Sequence, residues 1–287
     1  MPVAVAPAIG NLDAMNQQRT VLITGASDGI GKSAATLLSE SRPDTRLLLV
    51  GRNPEKTREI AQRLGTEYFT ADFADLEQVR TLAADILATT DRIDVLANNA
   101  GGIFSGPEIT GDDFEKTWQV NVVAPWLLTN LLRGPLRESR ANVVATSSIA
   151  AFLFARFTTD DPGTRENFTD SRAYGNAKLG DAMMTAELAK RFPELGPVAF
   201  HPGVIATNFA QETSSSMKNF YRLLGRSSLA GPEGGGRRLA HFIEGTPGVH
   251  FERGRFYLRP GLPVPLATQQ ATAVFRDLDE QLGLHWD

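Results

Sequence analysis

Short runs rich in Val, Ile and Leu alternate with stretches of helical periodicity from residue 20 onwards. "TVLIT" (20–24), "RLLLVG" (46–51), "TEYFT" (66–70), "VLANN" (95–99), "NVVATSS" (142–148) and "PVAFH" (197–201) read as strands, with "RFYL" (255–258) as a last one. Helices are predicted over "IGKSAATLLSE" (30–40) and "PEKTREIAQRL" (54–64); the second has Pro54 in its first turn, where a missing N–H does no harm. Leu76, Val79, Ala83, Ile86 and Leu87 fall on one helical stripe. Two further helices are expected at about 111–134 and 172–192.

Strands that are apolar at nearly every position must be covered on both faces. The pattern therefore predicts an α/β chain: a doubly wound parallel sheet with helices on both faces. No linker divides it, so residues 19–287 are expected to form one domain behind a flexible N-terminal arm, 1–18, in which Met15 offers an alternative start. The stretch 213–236 is too rich in Ser and Gly for a fixed core element and reads as a mobile segment near a binding site. "VVAPWLLTNLL" (122–132) is apolar around much of its surface and should be packed on both sides.

Composition narrows the function classes. Hydrophobic residues make up 42% and charged ones 22% of the 287 residues, as in an ordinary soluble protein. The 29 basic and 33 acidic residues are mixed along the chain, so no basic stripe marks a nucleic-acid partner. The absence of cysteine excludes disulfides and thiolate metal sites, agrees with a cytoplasmic location, and goes with the expectation of no metal. No apolar run reaches the roughly 18 residues of a membrane span. The N-terminus lacks the basic start and long apolar core of a signal peptide.

"TGASDGIG" (24–31) lies between the first strand and the first helix. Gly25, Gly29 and Gly31 stand where a sharp turn and the close approach of a phosphate both need a missing Cβ. The helix N-terminus would then direct its N–H groups at a pyrophosphate. A tight turn alone also uses glycines, but this placement favours a dinucleotide. The second strand runs into Gly51 and Arg52 instead of the acid that binds a ribose 2′-hydroxyl. A guanidinium suits a 2′-phosphate, so NADP(H) is preferred, with NAD(H) as the other option. Asp28 works against a phosphate, and Arg52 read alone could equally be a surface cation opening a loop.

"NNAG" (98–101), "NVV" with Asn121, "TSS" (146–148), "YGNAK" (174–178) and "HPGVIAT" (201–207) follow in order. With "TGASDGIG" they resemble the short-chain dehydrogenase/reductase family over about residues 20–260. The resemblance implies a single-domain Rossmann fold and a carbonyl–alcohol oxidoreductase with a small-molecule substrate. It makes Tyr174 and Lys178 the catalytic pair, and at i and i+4 they share one helix face. A free phenol keeps its proton to a pH of about 10. A neighbouring ammonium favours the phenolate and fits Tyr174 for general acid–base work. Ser148 is implied as the group that polarises the substrate carbonyl, with Ser147 as the neighbour it could be confused with. Asn121 is implied to support a water leading to the lysine.

Cofactor contacts are implied at Gly25, Ser27, Asp28, Gly29, Ile30 and Gly31, and at Arg52, Asp72 and Phe73. Asp72 would touch adenine, or simply cap a helix. Asn98, Ala100 and Gly101 would line the ribose and nicotinamide side. Lys178 would hold the ribose hydroxyls, and Tyr174 stands beside the nicotinamide. Pro202, Gly203, Ile205 and Thr207 would border the carboxamide. His201 reads as a packed strand-end residue.

Ser148 and Tyr174 are 26 residues apart, about twice the family's usual spacing, as in its retinol-dehydrogenase-like and protochlorophyllide-reductase-like branches. Phe152, Phe154, Phe157, Phe209, Phe220 and Tyr221 either border an apolar substrate or pack the inserted segment onto the domain. The resemblance also implies a homodimer or homotetramer through helices near 112–134 and 172–192. Two alternatives remain. One is an idle NADP(H)-binding sensor or scaffold, a class that usually loses the tyrosine or lysine. The other is a nucleotide-sugar epimerase or dehydratase, whose first turn carries a different glycine spacing.

Overall fold

The computed structural model describes residues 18–203 and 231–285. Residues 1–17, Ile205, Thr207, Phe209, Phe220 and Tyr221 lie outside the described residues. Within them eight strands form one sheet in the order β3-β2-β1-β4-β5-β6-β7-β8. The first seven, β1 (Thr20–Thr24), β2 (Arg46–Gly51), β3 (Glu67–Thr70), β4 (Val95–Asn98), β5 (Asn142–Thr146), β6 (Gly196–Phe200) and β7 (Phe256–Arg259), run parallel. A short β8 (Leu262–Val264), which the hydrophobic pattern did not reveal, closes the edge antiparallel to β7. The expected strands are all present, with ends shifted by one or two residues.

The period of two along each strand divides the core. Val21, Ile23, Leu47 and Leu49 face α1 (Gly29–Ser41), whose Ala34, Ala35 and Leu38 meet them. Leu22, Leu48, Leu96 and Val143 face the other way, toward α3 (Leu76–Thr89) and its neighbours. The helix α2 (Pro54–Leu64) covers β2 and β3, capped by Asn53. Both faces of the sheet are thus dry, which is the doubly wound arrangement. On α3 the buried stripe is Leu76, Val79, Leu82, Ala83 and Ile86; Leu87 is 44% exposed, one position off the stripe.

The helix expected over 111–134 is broken. It begins as α4 (Lys116–Trp118), passes through a π-helical turn (Gln119–Val123) and continues as α5 (Ala124–Leu131) and α6 (Arg133–Glu138). Pro125 explains the interruption, because it has no N–H to give the carbonyl four residues back, that of Asn121, and its ring crowds that carbonyl. The short α7 (Ala150–Leu153) follows β5, and the long α8 (Asp170–Arg191), capped by Thr169, carries the Tyr–Lys pair.

Residues 232–236, read from sequence as part of a mobile segment, instead open the helix α9 (Pro232–Glu244). Gly236 is there because α9 crosses α1 closely: a Cβ on it would lie 2.3 Å from Ser33 Oγ. A last helix, α10 (Ala271–Leu282), was not expected. It lies over α5 and α8: Phe275 stacks on the fully buried Trp126, whose Nε1–H donates to Asp279 Oδ1 at 2.7 Å. Arg191 of α8 bonds both Glu187 and Asp279 across the same contact. This is the second layer that the all-round apolar character of α5 required.

Candidate active site

The strand order reverses between β1 and β4, and a crevice opens beyond their carboxyl ends. Gly25 (φ 66°) and Gly29 (φ 55°) take the left-handed backbone of the turn there. Asp28 caps α1, accepting from Gly29 N at 2.7 Å, so the first helical N–H groups face the crevice. Asn99 ties this corner together. Its Nδ2 donates to Thr24 O at 3.0 Å, its backbone N–H goes to Thr24 Oγ1, and its Oδ1 accepts from Thr146 Oγ1. One side chain thus links the ends of β1, β4 and β5.

A cleft of about 330 Å³ runs from this turn to α8. Ser27, Asp28, Gly29 and Ile30 line one end together with Gly25, Arg52, Asp72 and Phe73. Ala100, Gly101, Ser148, Tyr174 and Lys178 line the other, with Pro202 and Gly203 beside them. Two expected cofactor contacts, Gly31 and Asn98, lie beneath the wall instead, as does Asn121, which was expected to support a water leading to the lysine. Gly31 packs under the turn. Asn98 is 5% exposed and points its Nδ2 at Thr129 Oγ1, leaving the cleft to Asn99. Asn121 sits under the Gly101–Gly102 stretch, donating to Gly102 O at 2.9 Å and accepting from Gly102 N. Asp72 is not the helix cap; Asp75 is, while Asp72 closes a local turn onto Ala74 N.

The α8 end of the cleft is assembled from three elements. Lys178 is 4% exposed, and its ammonium donates to Thr146 O at 2.9 Å and to Asp181 Oδ2 at 2.9 Å. It stands 5.6 Å from the centre of the Tyr174 ring. Tyr174 is held by packing against Ile103 and Ala150, with Phe154 behind. The two serines separate by their bonds. Ser147 Oγ donates to Lys178 O at 2.6 Å and is structural, whereas Ser148 Oγ accepts from Ala150 N and keeps its proton for the cleft. A Cβ on Gly101 would lie 2.5 Å from Asn121 Oδ1 and 3.4 Å from Lys178 Nζ, so glycine is required here for Asn121 and Lys178 to pack this close to the backbone. The bare backbone, the helix N-terminus and the buried ammonium together fit a dinucleotide with its nicotinamide end at Tyr174.

The inserted segment docks through the middle of the Tyr–Lys motif. Asn176 accepts from Arg156 N at 2.8 Å and donates to Thr164 Oγ1 at 2.7 Å, while Gly175 lets the chain at Phe154–Ala155 pass close by. Phe157 packs on Trp118 and Phe152 on Phe256, so two of the three described aromatics pack the insertion, and Phe154 stands behind the tyrosine. Sequence reasoning overlooked Asn99, Phe104 and Asp181. The Asn99 doublet in "NNAG" was a visible signal; the other two had none.

Two hundred residues, 19–218, match the family model described as short chain dehydrogenase. The chain belongs to this family. It is accordingly an NAD(P)-dependent oxidoreductase acting on CH–OH or carbonyl groups. A candidate daunorubicin C-13 ketoreductase, DnrU, from Streptomyces sp. (strain C5) is 40% identical over 222 residues, 75% of this chain and 76% of its own. Human retinol dehydrogenase 14 is 29% identical over 264 residues, 83% and 77% of the two chains. These relatives place the chain in the retinol-dehydrogenase-like branch of the family. Among solved structures, an uncharacterised protein of Mycobacterium paratuberculosis superposes with a TM-score of 0.73 at 25% identity, over 94% of this chain and 95% of that one. The NADP complex of RhlG from Pseudomonas aeruginosa shares the fold, with a TM-score of 0.64 at 22% identity over 90% and 98%. The sheet is thus the six-stranded Rossmann order, β3-β2-β1-β4-β5-β6, with β7 and β8 added at one edge.

His201, at the end of β6, is packed as expected. Its Nδ1 accepts from Ile149 N at 3.3 Å, and burial, with Arg238 nearby, pushes its pKa down to about 4. The unfolded chain takes up this proton near pH 6.5, so the folded state loses stability as pH falls from there through 4. Glu115 and Asp181, raised to about 6 by burial, act in the opposite sense. His201→Asn keeps an acceptor for Ile149 and leaves those carboxyls alone. Between pH 6.5 and 5 the variant should lose less stability than the parent, by about 2 kcal/mol, in urea titrations followed by tryptophan fluorescence.

Proposed function

We propose that this short-chain dehydrogenase reduces the carbonyl of a bulky apolar ketone or aldehyde with NADPH, and oxidises the corresponding alcohol in reverse. The observation that carries the reading is the convergence of Tyr174, Lys178 and Ser148 on one cleft end. The bound cofactor supplies the hydride to the carbonyl carbon. Ser148 donates a hydrogen bond to the carbonyl oxygen and stabilises the charge that grows there. Tyr174 gives its phenolic proton to that oxygen, which leaves an alcohol and a phenolate. Lys178, kept cationic, favours that phenolate.

The preference for NADPH is supported at the end of β2. A Cβ on Gly51 would lie 2.2 Å from Thr57 Oγ1 and 2.9 Å from Ser27 Cβ, so no carboxylate can stand where a 2′-hydroxyl would want one. Arg52 lines the cleft beside it, and Lys56 comes within 3.6 Å of Asp28, offsetting the negative charge nearest the turn. The apolar substrate is supported by Phe104, which lines the cleft, by Phe154, and by the substrates named for DnrU and retinol dehydrogenase 14. The zero-cysteine composition supports a cytoplasmic location. A homodimer or homotetramer would have to form away from the faces of α5 and α8 that α10 covers.

Fluorescence titration with NADPH and NADH tests the cofactor half. NADPH should bind about tenfold or more tightly than NADH, and Arg52→Ala should remove most of that margin, because a charge-assisted bond to phosphate contributes about 1.5–3 kcal/mol. Equal or tighter NADH binding would overturn it. No binding of either would overturn the oxidoreductase reading and the NADP(H)-binding scaffold together, whereas tight NADPH binding with no carbonyl turnover would bring the scaffold forward.

A further inference from the structure

Among the described residues, the ion pair at the α8 end of the cleft is Lys178 with Asp181, one turn further along α8. Their side chains are 5% and 6% exposed, and the Nζ–Oδ2 distance is 2.9 Å. Proton transfer as described above uses the lysine and makes no use of this carboxylate. A buried acid beside a catalytic cation has two electrostatic consequences. It holds the ammonium in place and in its charged form, and it cancels much of the field that the ammonium exerts on anything beyond it. Of the three ammonium protons, one goes to Thr146 O and one to Asp181, which leaves the third for the cleft that Lys178 lines.

We propose that Asp181 is a positioning and tuning residue: its carboxylate aims Lys178 at the cleft and raises the pH at which Tyr174 ionises above the value that Lys178 alone would set. The inference rests on the reading of Tyr174 and Lys178 as the proton-transfer pair. The elements packed against α8 carry other charged groups. The end of β6 contributes His201, neutral above about pH 4; α4 and the residue before it contribute Lys116 and Glu115; and α10 contributes Asp279, which is engaged with Arg191. The charge that acts on the Asp181 carboxyl is that of Lys178, and burial opposes it, pushing the carboxyl up to about 6. At neutral pH the acid is therefore still ionised and the pair is neutral overall. Ser147 Oγ, bonded to Lys178 O, and Thr146 Oγ1, bonded to Asn99, keep the backbone around the pair rigid.

The test needs no substrate. Tyrosinate absorbance is titrated for the parent and for Tyr174→Phe, and the difference isolates Tyr174 among the four tyrosines. The same difference is taken in an Asp181→Asn background, where the side-chain shape and an acceptor for the ammonium remain. The Tyr174 midpoint should fall by about one pH unit in the Asn background, the size of a partly screened charge removed at several ångströms. An unchanged or higher midpoint overturns the proposal. A purely structural role would lower the melting temperature and leave the midpoint alone. If Asp181→Asn does not fold, Asp181→Ser serves in its place, with the same expected direction. Carbonyl turnover is measured separately: if the parent turns over no carbonyl, the functional reading fails while the titration still reports on Asp181.

Discussion

Tyr174→Phe should lower carbonyl turnover by about 10³-fold while leaving the NADPH dissociation constant within about threefold, a change under ~0.7 kcal/mol. The ring of Tyr174 packs against Ile103, Ala150 and Phe154, and phenylalanine keeps all of that apolar contact. The variant should therefore fold, and thermal melts of both proteins check that the loss of turnover is not a loss of structure. What it loses is the hydroxyl, and with it the proton that the developing alkoxide takes up. Water should not replace it easily, because Tyr174 is only 3% exposed and Lys178, the lysine proposed to favour its phenolate, is buried with it. NADPH consumption with a panel of apolar aryl ketones measures the effect. Turnover that survives the substitution would remove Tyr174 from its role; full loss with intact NADPH binding would leave Ser148 and Lys178 as the supporting groups.

Gly31→Ala is the second large effect. A Cβ at this position would lie 2.4 Å from Gly25 O and 2.7 Å from Asn99 Nδ2, against backbone and against the side chain that ties three strand ends together. No rotamer relieves contact with a backbone carbonyl, so the start of α1 must move away from β1. The N–H groups that face the cleft move with it. NADPH affinity should drop by about 100-fold, ~2.7 kcal/mol, and folding stability by about 1–3 kcal/mol, as for other overpacked sites. Gly134→Ala is the control, since a Cβ there meets nothing within 4 Å. In the helix α6 it should be neutral or stabilise by about 0.5–1 kcal/mol. Titration with NADPH and urea denaturation of both variants separates a specific close approach from a general intolerance of helical glycine changes.

The Tyr–Lys spacing and the glycine turn were legible because both are local devices. One helix turn brings i and i+4 together in any context, and a βα turn needs its glycines within a few residues. The choice between Ser147 and Ser148 was not legible, because it depends on which hydroxyl meets the Lys178 carbonyl, 31 residues away. Asn98 was misplaced for a related reason. Alternate residues of a strand face opposite ways, and the pattern did not say that the strand ended at Asn98, leaving Asn99 free to turn toward the cleft.

The broader division follows the same physics. Burial of β1, β2 and β5 on both faces is written in their continuous apolar runs, so the doubly wound sheet, its strands and the crevice at its switch point follow from sequence. The reading of 213–236 failed over 232–236 because serine and glycine content reports local flexibility. In α9 the glycine instead answers to the distance of α1, a neighbour about 200 residues away in the chain. The covering of α5 by α10 and the pairing of Lys178 with Asp181 were hidden in the same way. An apolar helix face does not name what will cover it, and an aspartate on a helix reads as solvated until burial leaves it a single partner. Local pattern placed the elements, and the family resemblance carried by short ordered motifs picked out the candidate reacting groups. Only packing decided which buried charges face each other, because desolvation and Coulomb energy depend on distances between segments that no local pattern encodes.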